Sequence, residues 1–232
     1  MRTRLSNKTY NKRFDMSLLL NDVAPNFNAK STIGNIDFHK WIGESYTILF
    51  SHPKDFTPVC TTEFAAVAKL SHEFVARNTK IIGVSVDGTV DHLKWIRDIE
   101  LISGADVTFP IIDDSSLFVA KLYGMLPSDA FLSDGRTALD SATVRTVFII
   151  GPDKKIRLML SYPMAVGRNF DEIIRVLDSI QLTDRMPVAT PANWLPGQNV
   201  IVTLSVSDED AKKKFGSVDT KLPYLRYISE PK

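Results

Sequence analysis

A single cysteine, Cys60, lies in the run Pro53-Lys54-Asp55-Phe56-Thr57-Pro58-Val59-Cys60-Thr61-Thr62-Glu63 of this 232-residue chain. Thr57 followed by Pro58 is a helix-start signature, because threonine can cap free amides and proline has no amide proton to lose at the first helical position. Cys60 then falls in the first turn. There the positive end of the helix dipole and a guanidinium brought in from elsewhere would favour thiolate over thiol. Ionisation alone achieves little. A thiol near pKa 8.5 is about 7% thiolate at pH 7.4, so full ionisation gains about fourteenfold, and the accompanying loss of nucleophilicity removes nearly as much. Fast attack on a peroxide therefore needs groups that position the O–O bond and stabilise charge on the departing oxygen. Thr57, three residues from the sulfur, and a buried arginine are the candidates. With no second cysteine, an oxidised Cys60 must be restored by something outside the chain. The alternative is an inert buried thiol.

The elements that must hold this loop are legible as apolar runs. Tyr46 to Phe50, Lys80 to Val86, Val107 to Ile112, Val144 to Ile150 and Ile156 to Tyr162 read as strands. Helical patterns occupy Thr57 to Arg77, Val90 to Ile99, Ser115 to Tyr123 and Asn169 to Leu182. Counting from Cys60, residues Phe64, Val67, Ser71 and Phe74 share one helical face. Gly151-Pro152-Asp153-Lys154-Lys155 supplies a hairpin turn between the last two strands. The order predicts an α/β fold with a mixed central sheet on the thioredoxin plan, spanning residues 16–182. After Leu182 the prolines at 187, 191, 196, 223 and 231 punctuate a smaller C-terminal segment, 183–232, with a strand at Val200 to Val206 and a helix at Asp208 to Phe215.

A formal charge of +1 gives no electrostatic case for nucleic acid or an anionic membrane surface. No apolar run is long enough to span a bilayer, and one cysteine excludes an internally stapled scaffold. A cytoplasmic location is the default expectation. Residues 1–15 are basic, with Arg2, Arg4, Lys8, Lys12 and Arg13, which suits a disordered tail or a mitochondrial presequence.

From about Leu18 to Tyr227 the chain resembles the peroxiredoxins, specifically their one-cysteine, peroxiredoxin-6-like branch. The resemblance rests on the residues from Ser51 to Glu63 and on Phe109-Pro110-Ile111-Ile112-Asp113-Asp114, Arg145-Thr146-Val147-Phe148, Tyr162-Pro163, Gly167-Arg168-Asn169-Phe170-Asp171-Glu172 and Val188-Ala189-Thr190-Pro191. It implies a thiol-dependent peroxidase for hydrogen peroxide and organic or lipid hydroperoxides, with no metal or other cofactor. Cys60 would attack the peroxide, Pro53 would shield the sulfur, Thr57 would bond the peroxide, and Arg145 would hold thiolate and leaving oxygen. His52, Glu63 and Arg168 would support them. The sulfenic acid would be resolved by glutathione, with or without a glutathione transferase, or by thioredoxin. The resemblance also implies a homodimer in which the C-terminal segment joins the subunit contact.

Rival readings remain open. A phospholipase A2-like site in this branch would use Ser45, His39 and Asp153, but Gly43-Glu44-Ser45-Tyr46-Thr47 lacks the final glycine of a nucleophile elbow. Cysteine-protease chemistry would need a histidine base, for which only His52 is placed, while His72 and His92 read as structural. A non-turnover redox sensor or holdase on the same fold is the non-enzymatic alternative.

Overall fold

The computed structural model describes residues 18–130 and 141–231, so the basic N-terminal extension lies outside the described residues. Its contacts divide into two compact units, one ending at Arg168 and the other beginning at Asn169.

In the first unit, β3 (Tyr46–Ser51), β4 (Thr79–Ser85) and β6 (Arg145–Ile150) form the middle of a seven-stranded sheet. Nearly every residue of these strands is buried. That is why they read as continuous apolar runs rather than as alternating ones. β3 runs parallel to β4 and antiparallel to β6, which makes the sheet mixed as the sequence predicts. β7 (Ile156–Tyr162) adds antiparallel to β6 across the expected hairpin. On the other side β5 (Ile111–Asp113) runs parallel to β4. It is shorter than the apolar run that announces it, because Pro110 has no amide to give a ladder. Beyond β5 lies a hairpin not anticipated from sequence, β1 (Asn28–Ser31) with β2 (Gly34–Asp37), whose mostly polar residues, half of them exposed, carry little strand signal.

The two sheet faces bury different clusters. Leu49, Ile82, Val84, Phe148 and Ile150 pack with Phe27, Phe38 and Tyr123, including Phe38 of α1 (Phe38–Ile42). Phe50 instead meets Phe64 at 5.0 Å and Phe109 at 6.1 Å. Phe64 belongs to α2 (Pro58–Lys69), which carries Cys60, and α2 approaches β4 closely at Gly83, where an added Cβ would stand 2.9 Å from Phe64 Cζ.

The single helix expected over Thr57 to Arg77 is two. Leu70, at φ −90° and ψ 3°, ends α2 and starts α3 (Ser71–Ala76), so Ser71 and Phe74 belong to a separate helix. α4 (Thr89–Ser103) buries His92, Trp95 and Ile99 on one face and ends at Gly104 with φ +67°. α5 (Phe118–Leu122) starts later than the pattern suggests, because Leu117 is left-handed and the Asp114 carboxylate takes the amides of Val119 and Ala120.

The second unit opens with α6 (Phe170–Arg185), although the sequence texture changes only after Leu182. Asn169 caps it by accepting from the amides of Asp171 and Glu172. β8 (Val188–Ala189), β9 (Val200–Val202), β10 (Asp219–Leu222) and β11 (Leu225–Ile228) form an antiparallel sheet in the order β10-β11-β9-β8, with α7 (Asp208–Phe215) between β9 and β10. Leu182, Val188, Trp194, Val200, Val202, Ala211 and Ile228 make its own small core, where sequence reading expects one strand and one helix.

Candidate active site

β3 delivers the chain to the site at Ser51, and the loop 52–57 carries it into α2. Proline at the first helical position starts α2 as anticipated, and Cys60 sits in the first turn, fully buried. The threonine before it does not cap the helix. Thr57 Oγ1 donates to the Lys54 carbonyl at 2.9 Å, so its hydroxyl proton is spent inside the loop and its oxygen keeps lone pairs to accept with. Pro53 is buried and Thr57 half-buried.

The sulfur's cationic partner comes from the start of β6. Arg145 Nη1 lies 3.3 Å from Cys60 Sγ and 2.7 Å from Glu63 Oε2, while its Nε donates to the Met164 carbonyl at 2.8 Å. Glu63, one turn below Cys60, is gripped from the other side by Arg168. Arg168 Nη2 reaches Oε2 at 2.7 Å, and its backbone amide and Nε reach Oε1 at 2.8 and 2.9 Å. Arg168 Nη1 also donates to the carbonyls of Ser51 and Thr146, and its guanidinium stacks over Phe50 at 5.1 Å. Burial alone would push the Glu63 carboxyl up. The Arg168 hydrogen bonds and charge, with help from Arg145, outweigh it and hold Glu63 below the ordinary carboxylate value.

Two buried guanidiniums against one carboxylate leave a single positive charge beside the Cys60 sulfur. Desolvated charge of this kind is costly unless balanced, so the cluster favours negative charge developing beside the guanidiniums.

Behind this cluster lies a second polar one. Asp55 Oδ1 is 2.7 Å from His52 Nε2 and Asp55 Oδ2 is 2.6 Å from His92 Nδ1. The Asp55 amide donates to Asp87 Oδ2, and Ser85 Oγ donates to the same oxygen. Burial opposes ionisation of Asp55, but hydrogen bonds and charge from the two imidazoles hold its pKa down at about 2. His52 stacks on Trp95 and meets the edge of Phe64. It is bonded to Asp55 and not to Cys60, so the thiol–imidazole pair of a cysteine protease is not formed. Ligand-type atoms of His52, Asp55 and Asp87 lie within 4.8 Å of one another, but the carboxylates there are already committed to protein donors.

His92 is structural in the sense that it is fully buried, whereas His72 is exposed beside Glu73. Asp55 and His92 are missing from the sequence-derived site. The available signal was helical spacing, which puts His92 on the same face as Trp95 and Ile99, where an imidazole must find buried partners.

The residues of the lipase reading are occupied separately. His39 Nε2 bonds the Ala24 carbonyl, Ser45 Oγ donates to Asn78 Oδ1, and Asp153 pairs with Arg157. No hydrogen bond links Ser45 to His39 or His39 to Asp153 among the described residues, so no nucleophile, base and orienting acid are assembled.

Comparison with known proteins places the chain in a family. The sequence profile of the AhpC/TSA family matches residues 20–159, and that of the C-terminal domain of 1-Cys peroxiredoxin matches residues 179–217. The chain belongs to the peroxiredoxin family. This peroxiredoxin is 50% identical to peroxiredoxin-6 of Mus musculus over 92% of its own length and 98% of that protein's. It is also 50% identical to the mitochondrial peroxiredoxin PRX1 of Saccharomyces cerevisiae, over 90% of its length and 80% of the relative's. A cysteine-to-serine variant of peroxiredoxin 6 from Arenicola marina superposes with a TM-score of 0.87 at 46% identity, covering 93% of this chain and 100% of that one. A yeast mitochondrial 1-Cys peroxiredoxin, described for thiol resolution through glutathione/thioredoxin systems, superposes at 0.82 with 49% identity, covering 91% and 99%. The peroxiredoxin is thus a thiol peroxidase of the one-cysteine type, and the sensor, holdase and lipase readings are not favoured.

Proposed function

We propose that Cys60 is the peroxidatic nucleophile, that Arg145 and Thr57 position its substrate, and that an external thiol closes the cycle. The observation that carries this reading is the 3.3 Å approach of the Arg145 guanidinium to the sulfur, within a buried cluster one negative charge short of neutrality. The thiolate attacks one peroxide oxygen, an S–O bond forms, and the O–O bond breaks with its electron pair leaving on the second oxygen. Sulfur is oxidised by two electrons and the peroxide is reduced. The departing hydroxide or alkoxide is protonated to water or alcohol, and Cys60 is left as sulfenic acid. Arg145, in reach of the sulfur, stabilises charge on both reacting partners. Thr57, with its proton given to Lys54, accepts from the peroxide O–H. Pro53 closes the sulfur off from bulk water, Glu63 and Arg168 hold Arg145, and His52 packs the loop from below.

An incoming thiol then displaces water from the sulfenic acid to give a mixed disulfide, and a second thiol releases Cys60 with formation of the reductant's disulfide. Glutathione and thioredoxin are the reductants proposed, supported by the yeast relative's resolution through glutathione/thioredoxin systems. Delivery by a glutathione transferase is a further arm of the same proposal. We place the protein in a homodimer, with the C-terminal segment at the subunit contact. The compartment proposed is the cytoplasm. Mitochondrial delivery through residues 1–15 is the second reading, favoured by the named location of the yeast relative.

Stopped-flow oxidation by hydrogen peroxide and an alkyl hydroperoxide, followed by turnover with glutathione or thioredoxin, tests the assignment. Cys60→Ser should abolish peroxidase activity, and Arg145→Ala should slow oxidation by about a hundredfold or more. Activity retained in Cys60→Ser would defeat the proposal.

A further inference from the structure

The two imidazoles that flank Asp55 are not equivalent. His92 Nδ1 faces Asp55 Oδ2 at 2.6 Å and its Nε2 faces the Ile112 carbonyl at 3.1 Å. Both partners only accept. A neutral imidazole carries one ring proton, so one of these contacts would set lone pair against lone pair; two donors require the imidazolium. His52 has the opposite arrangement. Its Nε2 bonds Asp55, its Nδ1 is buried without a partner, and the neutral ring with the proton on Nε2 leaves only a bare lone pair there rather than a buried, unpaired N–H. The site thus holds one buried ion pair, Asp55 with His92, and one neutral histidine.

What this ion pair anchors is a strained turn. Phe56 follows Asp55 with φ +54°, a left-handed conformation that costs a bulky L-residue energy, and with 52% of its surface exposed its own packing does little to offset that. The turn is closed on one side by Thr57 donating to Lys54 and on the other by Asp55, which His92 ties to α4 and β5. Thr57 is the next residue after the strained one.

We propose that His92 is a buried imidazolium acting as a positioning residue for peroxide reduction, clamping Asp55 so that the turn 54–57 presents Thr57 beside the nucleophile. The inference rests on the peroxidase roles assigned above to Cys60 and Thr57. The charged and titratable groups around His92 are Asp55 on the loop, Asp87 before α4, His52 at the end of β3 and Asp113 on β5, whose carboxylate takes the Thr89 amide. Burial pulls the His92 pKa down, but the Asp55 hydrogen bond and charge, the Ile112 carbonyl and Asp87 raise it above its ordinary 6.5. The clamp is therefore complete below about pH 6.5 and releases as pH rises through the raised value.

Long-range proton–nitrogen NMR of the uniformly labelled full-length protein at pH 6, with His92 assigned through its Cβ-to-ring correlations, should show both His92 ring nitrogens protonated. One protonated and one bare nitrogen would overturn the proposal. Stopped-flow oxidation of Cys60 tests the role. An Asn amide nitrogen stands near the place of Nδ1 and keeps the donor to Asp55, so His92→Asn should slow oxidation only about threefold; Gln places its nitrogen near Nε2 and loses that donor, costing about thirtyfold. Wild type should lose rate on the alkaline side, and both variants should lack that limb. Equal slowing in the two variants with the wild-type pH profile would mean packing alone and would overturn the positioning role. If the variants do not fold, the wild-type spectrum still decides the charge. Peroxidase activity surviving in Cys60→Ser would remove the catalytic role and leave the imidazolium standing, which separates the two failures.

Discussion

Replacing Glu63 by glutamine tests the charge arrangement beneath Cys60 most directly. Glu63 accepts from Arg145 Nη1 and from the backbone amide, Nε and Nη2 of Arg168, four bonds at 2.7–2.9 Å in a site almost closed to water. Glutamine keeps one carbonyl oxygen and sets an NH₂ group against donors, so at least two of those bonds are lost and the two buried guanidiniums lose their shared carboxylate charge. Breaking a buried pair in this way costs about 3–5 kcal/mol. At about 2–4 °C per kcal/mol for a domain of this size, the melting midpoint should fall by about 6–20 °C. The pH dependence carries the sign. The folded Glu63 pKa lies below its ordinary value of 4.5, so its contribution is complete above about pH 4.5 and is lost as pH falls through the lower, folded value. Melts of wild type and Glu63→Gln should therefore differ most near neutrality and converge in acid. Cys60 oxidation should slow as well, because Arg145 is then held only by the Met164 carbonyl and the sulfur. A midpoint within 2 °C of wild type at pH 7, or a difference that grows on acidification, would refute Glu63 as the hub of the cluster.

Three further substitutions probe the frame around it. Thr57→Ser keeps the hydroxyl and should retain oxidation within about threefold, whereas Thr57→Val should lose about tenfold or more; equal rates in stopped-flow would remove the hydroxyl from the mechanism. Gly83→Ala drives a methyl to 2.9 Å from Phe64 Cζ, behind the helix that carries Cys60, and should cost about 1–3 kcal/mol in urea unfolding; an unchanged midpoint would mean that α2 yields there. Gly104→Ala meets no neighbour but must adopt φ +67° at the end of α4, so it should cost about 1–2 kcal/mol with the peroxidase rate unaffected; a loss of rate without loss of stability would contradict that reading.

The strands were the most legible part of this sequence, because burial on both faces turns β3, β4 and β6 into uninterrupted apolar runs. The β1–β2 hairpin was not legible for the converse reason. Half of its strand residues are exposed and only two are buried, and its place in the sheet is set by pairing with β5. The break at Leu70 likewise has no proline or glycine to announce it.

At the site, legibility followed distance along the chain. Thr57 and Cys60 are neighbours at one helix start, and local geometry was enough to pick them out, whereas Pro53 in the same loop came only with the family resemblance. Arg145 and Arg168, separated from their partner Glu63 by 82 and 105 residues, were reached only through family resemblance, since nothing local distinguishes these arginines from surface ones. Asp55 and His92 stand between these cases. Asp55 was visible inside the motif, and the helical phase of α4 put His92 on the buried face, but the bond between them depends on where α4 packs against the loop. A buried histidine on a helix face is thus a demand without an address: the sequence states that two ring nitrogens need partners, and only the packed structure reveals that both partners are acceptors and that the ring must carry charge.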